Sequence, residues 1–190
     1  TFAYEPGIDI LEHVNLHVRA GESIALVGPT GAGKSTVVNL LCRFYNLNGG
    51  SILLTDRDGG AHDISQVTLH SLRSQLGIML QDSFLFTGTL KENIRYGRLD
   101  ATDEEIVEAA RRVRADDFIR DLKDGYDTPV KERGGNLSQG QKQLVAFART
   151  LLSDPAILIL DEATSSIDTQ TEKLLQEGIQ EMLKGRTSFI

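Results

Sequence analysis

An α/β fold with a parallel-rich sheet is predicted by three features of the sequence. Apolar runs at residues 24–27, 52–54, 78–80 and 157–160 are short enough to be strands. Helical patterns lie between most of them, the alternation from which parallel sheets covered by helices are built. Around residue 28 the order is strand, glycine-rich loop, helix. There Val37, Leu40, Leu41 and Phe44 recur at helical spacing and place one apolar stripe on a helix beginning near Lys34.

Taken in order, residues 1–26 and 50–70 read as antiparallel strands, because Gly21, Gly49-Gly50 and Gly59-Gly60 punctuate short apolar runs with turns. Residues 27–49, 71–86 and 150–190 supply the parallel core. Residues 87–149 form a helical insert, with helical patterning to about residue 122 and no strand there, then a glycine-rich connection over residues 123–136. Thr102 with Glu105, Ser138 with Gln141, and Thr169 with Glu172 have capping-box spacing, so three helices are expected to start there.

The 190 residues, 40% hydrophobic and 25% charged, are enough for one domain with a substantial core. A formal net charge of -7 argues against a face built mainly to hold polyanions, although a local basic patch is compatible with that average, so nucleic acid is not expected as a principal partner. The single cysteine, Cys42, lies among apolar residues and reads as a small buried side chain. No run approaches the roughly 18 apolar residues of a membrane-spanning helix. The chain does not begin with Met and its last residues, Thr187-Ser188-Phe189-Ile190, read as a strand cut short, so both ends are expected to be cuts in a longer protein.

Chemistry concentrates at Gly28-Pro29-Thr30-Gly31-Ala32-Gly33-Lys34-Ser35, a G-x-x-x-x-G-K-[ST] match. Its glycines let backbone amides wrap an anion, the following helix adds the positive end of its dipole, and Lys34 supplies a charge to β and γ phosphates. The Ser35 hydroxyl is the expected magnesium ligand, with Thr36 beside it. The apolar run before Asp161-Glu162 delivers two carboxylates at a strand end. Asp161 is placed to support the metal, and Glu162, one residue on and pointing elsewhere, to take the proton of an attacking water. Gln81 also follows an apolar run, with an amide able to touch metal-bound water. Leu137-Ser138-Gln139-Gly140-Gln141 reads equally as a cap or as a phosphate contact, since both use the same exposed amides. Tyr4, on its own, reads as a core residue.

In this order the segments resemble the ATP-binding cassette (ABC) family over essentially the whole chain. Residues 28–35 are similar to its Walker A loop, Gln81 to the Q-loop residue, residues 137–141 to the signature, residues 157–162 to the Walker B strand, and Ser165-Ser166-Ile167-Asp168 to the D-loop. Tyr4 matches the aromatic that stacks on adenine. The stretch from Gln81 through Phe84-Leu85-Phe86-Thr87-Gly88 to Asn93-Ile94, and Glu132-Arg133-Gly134, are similar to multidrug and lipid exporters. The sequence departs from the pattern at Gln139, where the signature usually carries glycine, and in a longer hairpin loop over residues 55–65. The switch histidine falls beyond Ile190, and His13, His17, His62 and His70 lie in the wrong region to replace it.

The resemblance implies a P-loop, RecA-like core and a single ABC-type domain over residues 1–190, truncated at its C-terminus. It implies ATP and Mg2+ as ligands, with Lys34, Gln81 and Glu162 catalytic and Ser35, Gln81 and Asp161 around the metal. Tyr4, Gly28, Thr30, Gly31, Ala32, Gly33, Lys34, Ser35 and Thr36 would bind nucleotide, while Ser138, Gln139, Gly140 and Gln141 would face the nucleotide of a second ABC ATPase domain and Asp168 would lie at that interface. The expected setting is the cytoplasmic face of the cell membrane, coupled to a transmembrane domain of the same or a partner chain in an exporter of a drug, lipid or peptide. A half-site that binds ATP without hydrolysing it, and a soluble ABC ATPase of DNA repair or translation, are the alternatives.

Overall fold

The computed structural model describes residues 1–79, 84–160 and 169–190, with Thr169 and Gln170 by backbone alone. A four-stranded parallel sheet forms the centre, in the order β3 (Ser23–Ile24), β10 (Thr187–Phe189), β9 (Ile157–Leu160), β6 (Leu76–Met79). The register pairs Ile157 with Leu76 on one side and with Thr187 on the other. Parallel strands need crossovers, and these are the helices α1 (Lys34–Leu41), α2 (Leu69–Arg73), α3 (Leu90–Arg95), α4 (Asp103–Arg112), α5 (Ala115–Asp121), α6 (Gln139–Leu152) and α7 (Thr169–Leu183). The α/β class with a parallel sheet is therefore as the sequence predicts.

Among the described residues, antiparallel pairing is confined to small ladders: β1 (Phe2–Glu5) with β2 (Ile8–Leu11), β4 (Leu53–Thr55) with β5 (Ala61–Asp63), and β7 (Gly88–Thr89) with β8 (Pro129–Val130). Two details differ from the sequence reading. The first third is not antiparallel throughout, because β3 joins the parallel sheet, where Ile190 N–H donates to Ile24 O at 2.9 Å and Leu26 N–H to Ile190 O at 2.7 Å. The stretch read as strandless carries β7, whose partner β8 lies in the segment read as a loop.

Helix starts were the most legible local feature. The boxes at Thr102/Glu105 and Ser138/Gln141 are both present, and α7 begins at Thr169. A further box at Thr89/Glu92 opens α3. Beneath them, Leu90, Ile94, Ile106, Leu144 and Phe147 share one core between α3, α4 and α6, while Cys42, Ile159 and Phe189 form a second against α1, where Cys42 is fully buried. That arrangement sets α1 on the sheet and the start of α6 on the helical insert. No described helix is long and apolar enough to cross a membrane.

Candidate functional site: a phosphate loop beneath an aromatic cluster

Between β3 and α1 the chain makes the loop that the glycines demand. Gly31 and Gly33 sit at φ 85° and 86°, the left-handed region that side chains disfavour. At Gly33 the restriction is double, since an added Cβ would also lie 2.7 Å from Leu11 Cδ2 on β2. Gly33 is the N-cap of α1 and offers no side-chain hydrogen bond, so the first amides of the helix stay open at its positive end. Lys34 Nζ donates to Gly28 O at 2.6 Å and Pro29 O at 3.1 Å, which seats its charge at the mouth of the loop. Gly28, Thr30, Gly31, Ala32 and Ser35 are exposed around it, and Thr36 is buried behind them. Open amides, a fixed cation and an accessible hydroxyl are what a polyphosphate with its metal requires.

Tyr4 stands next to this loop and is not a core residue: its relative exposure is 45%. Its hydroxyl donates to Thr36 Oγ1 at 3.3 Å, and Asn39 Nδ2 donates to the phenol oxygen at 3.4 Å. The Thr36 hydroxyl, which can turn to donate, and then the Asn39 amide favour the phenolate, so the phenol lies below its ordinary pKa. The structure thus joins Tyr4 to Thr36, at the end of the loop segment, across 32 positions of sequence. Sequence reasoning missed Asn39, and also Tyr45, whose ring centroid lies 4.9 Å from that of Tyr4. The available signal for Asn39 was its spacing of three from Thr36, which puts both on one face of α1.

At the other expected contact, Ser138 Oγ accepts from Gln141 N–H at 3.2 Å and Gln141 Oε1 accepts from Ser138 N–H at 3.0 Å. Of the two readings of this motif, the cap is thus present. It does not consume the amides of Gln139 and Gly140, and Ser138 and Gln139 are exposed. Just upstream, Asn136 closes a turn, accepting from Lys131 N–H and donating to Pro129 O, both at 2.9 Å. Inside that turn Arg133 adopts φ 52°, a left-handed conformation unusual for a side-chain-bearing residue.

Gln81, Asp161, Glu162 and Asp168 lie outside the described residues. Beyond Gln81, the chain from Phe84 to Phe86 is held from α6 and α3. Arg149 of α6 donates to Phe84 O at 2.9 Å, Asn93 O at 2.8 Å and Asn93 Oδ1 at 3.0 Å. Asn93 in turn brackets Phe86, accepting from its N–H and donating to its C=O, each at 2.8 Å. Burial pushes the Arg149 guanidinium below its usual pKa. A cation inside an apolar helix stripe gave no sequence signal of this role.

An uncapped helix start behind a glycine loop, at the carboxyl end of a strand in a parallel sheet, defines a P-loop nucleotide-binding domain. Comparison with known proteins narrows the class. The sequence model of the ABC transporter family matches residues 11–165. Over the whole chain there is 55% identity, across 190 residues, to the ABC transporter ATP-binding protein YfiC of Bacillus subtilis, of which the match covers 31%. Identity is 51% over 189 residues to a fatty acid ABC transporter ATP-binding/permease protein of Mycobacterium tuberculosis, covering 29% of it. The structure of a bacterial Atm1-family ABC exporter with ATP bound superposes at a TM-score of 0.86, with 47% identity, over 99% of this chain and 32% of that one. The chain belongs to the ABC transporter family and is an ATP-binding domain of it. It spans about a third of the length of these relatives.

Proposed function

We propose that the chain is the ATPase domain of an ABC exporter, which works as two such domains closing face to face over two MgATP molecules. The observation that carries this reading is the uncapped start of α1 with Lys34 seated in the loop and Tyr4 exposed above it. The similarity to an Atm1-family exporter and to a fatty acid transporter supports the exporter branch. On this reading the other two thirds of the protein include a transmembrane domain, in the same chain or a partner, and the domain works at the cytoplasmic face of the membrane.

Tyr4 offers a ring to the base, the amides of residues 31–36 and Lys34 hold the phosphates, and the Ser35 hydroxyl, Gln81 and Asp161 take the metal. Bound Mg2+ supplies neutralisation of phosphate charge. Glu162 accepts the proton of the attacking water, and Gln81 orients that water. From the second domain, the helix start at Ser138, Gln139, Gly140 and Gln141 approaches the γ phosphate through the Gln139 and Gly140 amides, which the capping box leaves open, and the Ser138 hydroxyl proton, while Asp168 links the two sites. Closure then follows from tighter binding of ATP to the closed pair.

Glu162→Gln tests this in the full-length protein. The expected result is ATP affinity and ATP-driven dimerisation as in wild type, with steady-state hydrolysis reduced by about a hundredfold or more, the scale of general-base catalysis. Turnover within about threefold of wild type would sink the assignment of the base.

A further inference from the structure

Tyr4 is held at both ends. At its hydroxyl it meets Thr36 and Asn39 of α1, at 3.3 and 3.4 Å. At its ring it meets two other aromatics edge to face: Phe2, centroids 4.8 Å apart at 85°, and Tyr45, 4.9 Å apart at 86°. Phe2 and Tyr45 also touch, at 5.9 Å, so the three rings close a triangle. Only Phe2 belongs to the core, at 3% exposure, whereas Tyr4 and Tyr45 are 45% and 48% exposed. Tyr4 and Tyr45 are only half covered, so each keeps ring surface open to a ligand beside the loop.

The geometry points to Tyr45 and Asn39 as positioning residues for the purine base of the nucleotide: Tyr45 fixes the plane of the Tyr4 ring and Asn39 pins its hydroxyl to the helix that carries the phosphate loop. Three supports explain the need. A tyrosine has two side-chain rotations, and stacking on a flat base requires both to be set before the base arrives. Phe2 and Tyr45 block swings of the ring, and the hydroxyl bonds to α1 fix its height above Thr36, two residues from Lys34. Base and triphosphate are thereby measured from one helix. β1 is also tied to the turn after Tyr45, with Ala3 N–H donating to Asn48 Oδ1 at 2.8 Å and Gly49 N–H to Thr1 O at 3.3 Å, so strand and turn move together.

This inference rests on the reading of the loop as an ATP site with Tyr4 as its base platform, and the test separates the two. Isothermal titration of the full-length protein with MgATP and with magnesium tripolyphosphate compares a ligand that has a base with one that has none. Tyr45→Ala is expected to weaken ATP binding about threefold to tenfold, the worth of an aromatic pair, and to leave tripolyphosphate affinity unchanged. Asn39→Ala follows the same pattern at about twofold to fivefold, for one neutral hydrogen bond. Tyr45→Phe keeps the ring and both affinities, which distinguishes positioning from loss of fold. ATP affinity unchanged in both alanine variants, or ATP and tripolyphosphate weakened equally, overturns the positioning role while the ATP site stands. A wild-type protein that binds neither ligand overturns the ATP site and the positioning role with it.

Discussion

Two helix starts of this chain are finished in opposite ways. At α1 the cap is Gly33 in a left-handed conformation with no side chain to offer, so the helix leaves its leading amides open. At α6 the cap is Ser138, and with Gln141 it satisfies two orphan groups reciprocally before any ligand is considered. The first start depends on a ligand or water to complete it, while the second is complete as part of the fold and keeps only the Gln139 and Gly140 amides and the serine proton in reserve. That is the division of labour expected of a site whose phosphates are held by one domain and closed over by another. On the proposed function α1 is the holding end, left open to bind, and α6 the closing end, capped within its own fold.

The largest expected effect breaks the holding end. Lys34→Ala removes a charged donor worth about 1.5–3 kcal/mol, so ATP affinity falls about tenfold to a hundredfold and hydrolysis is lost. The same change also frees the Gly28 and Pro29 carbonyls that Lys34 now engages. Both carbonyls sit in an exposed loop where water can replace the donor, so the fold should survive. Titration with MgATP alongside a thermal melt checks it. An affinity within about twofold of wild type would remove Lys34 from the site.

A smaller effect, and the sharper test of the comparison, lies at Ser138. Aspartate caps helices as well as serine does, and alanine does not. If Ser138 only caps α6, Ser138→Ala costs about 1 kcal/mol, a fall of roughly 2–4 °C in melting temperature, and Ser138→Asp changes nothing. If the residue also faces a phosphate, Ser138→Asp keeps the melting temperature and the affinity of one domain for ATP, yet lowers steady-state hydrolysis at least about tenfold through like-charge repulsion. The proposed function requires the second pattern. Steady-state hydrolysis and melting curves for the two variants decide between them.

How far each region could be read from sequence follows from how local its determinants are. The start of α6 is written in residues 138–141, and the capping box there is as predicted. The run at residues 157–160 is likewise the strand β9, because a fully apolar stretch of that length between parallel neighbours has no other use. β3 was harder, since its place in the parallel sheet is set by β10, as far away as Ser23 Oγ accepting from Ser188 Oγ at 2.7 Å across 165 positions. Hydrophobic periodicity carries no record of such pairings. Read without the family resemblance, which sets it at the base, Tyr4 passes for a core residue for the same reason: its partners Thr36, Asn39 and Tyr45 are on the far side of the phosphate loop. The carboxylates Asp161 and Glu162 rest on the strand-end argument and the family, with only the strand that leads to them described.

The smallest effect is expected at Gln139, where this chain departs from the glycine usual in the family. Gln139 is the first residue of α6, exposed, with its backbone amide among those the box leaves open. Phosphate contact through that amide is indifferent to the side chain, so a longer residue is tolerated so long as it points away from the partner's nucleotide. Gln139→Gly therefore costs at most about 1 kcal/mol in helix propensity and shifts steady-state hydrolysis by less than about threefold. The ratio that matters is the one to Ser138→Asp measured in the same preparation. A Gln139→Gly change as large as that of Ser138→Asp would mean that the glutamine amide itself reaches the nucleotide, and the closing end would then read its ligand by side chain as well as by backbone.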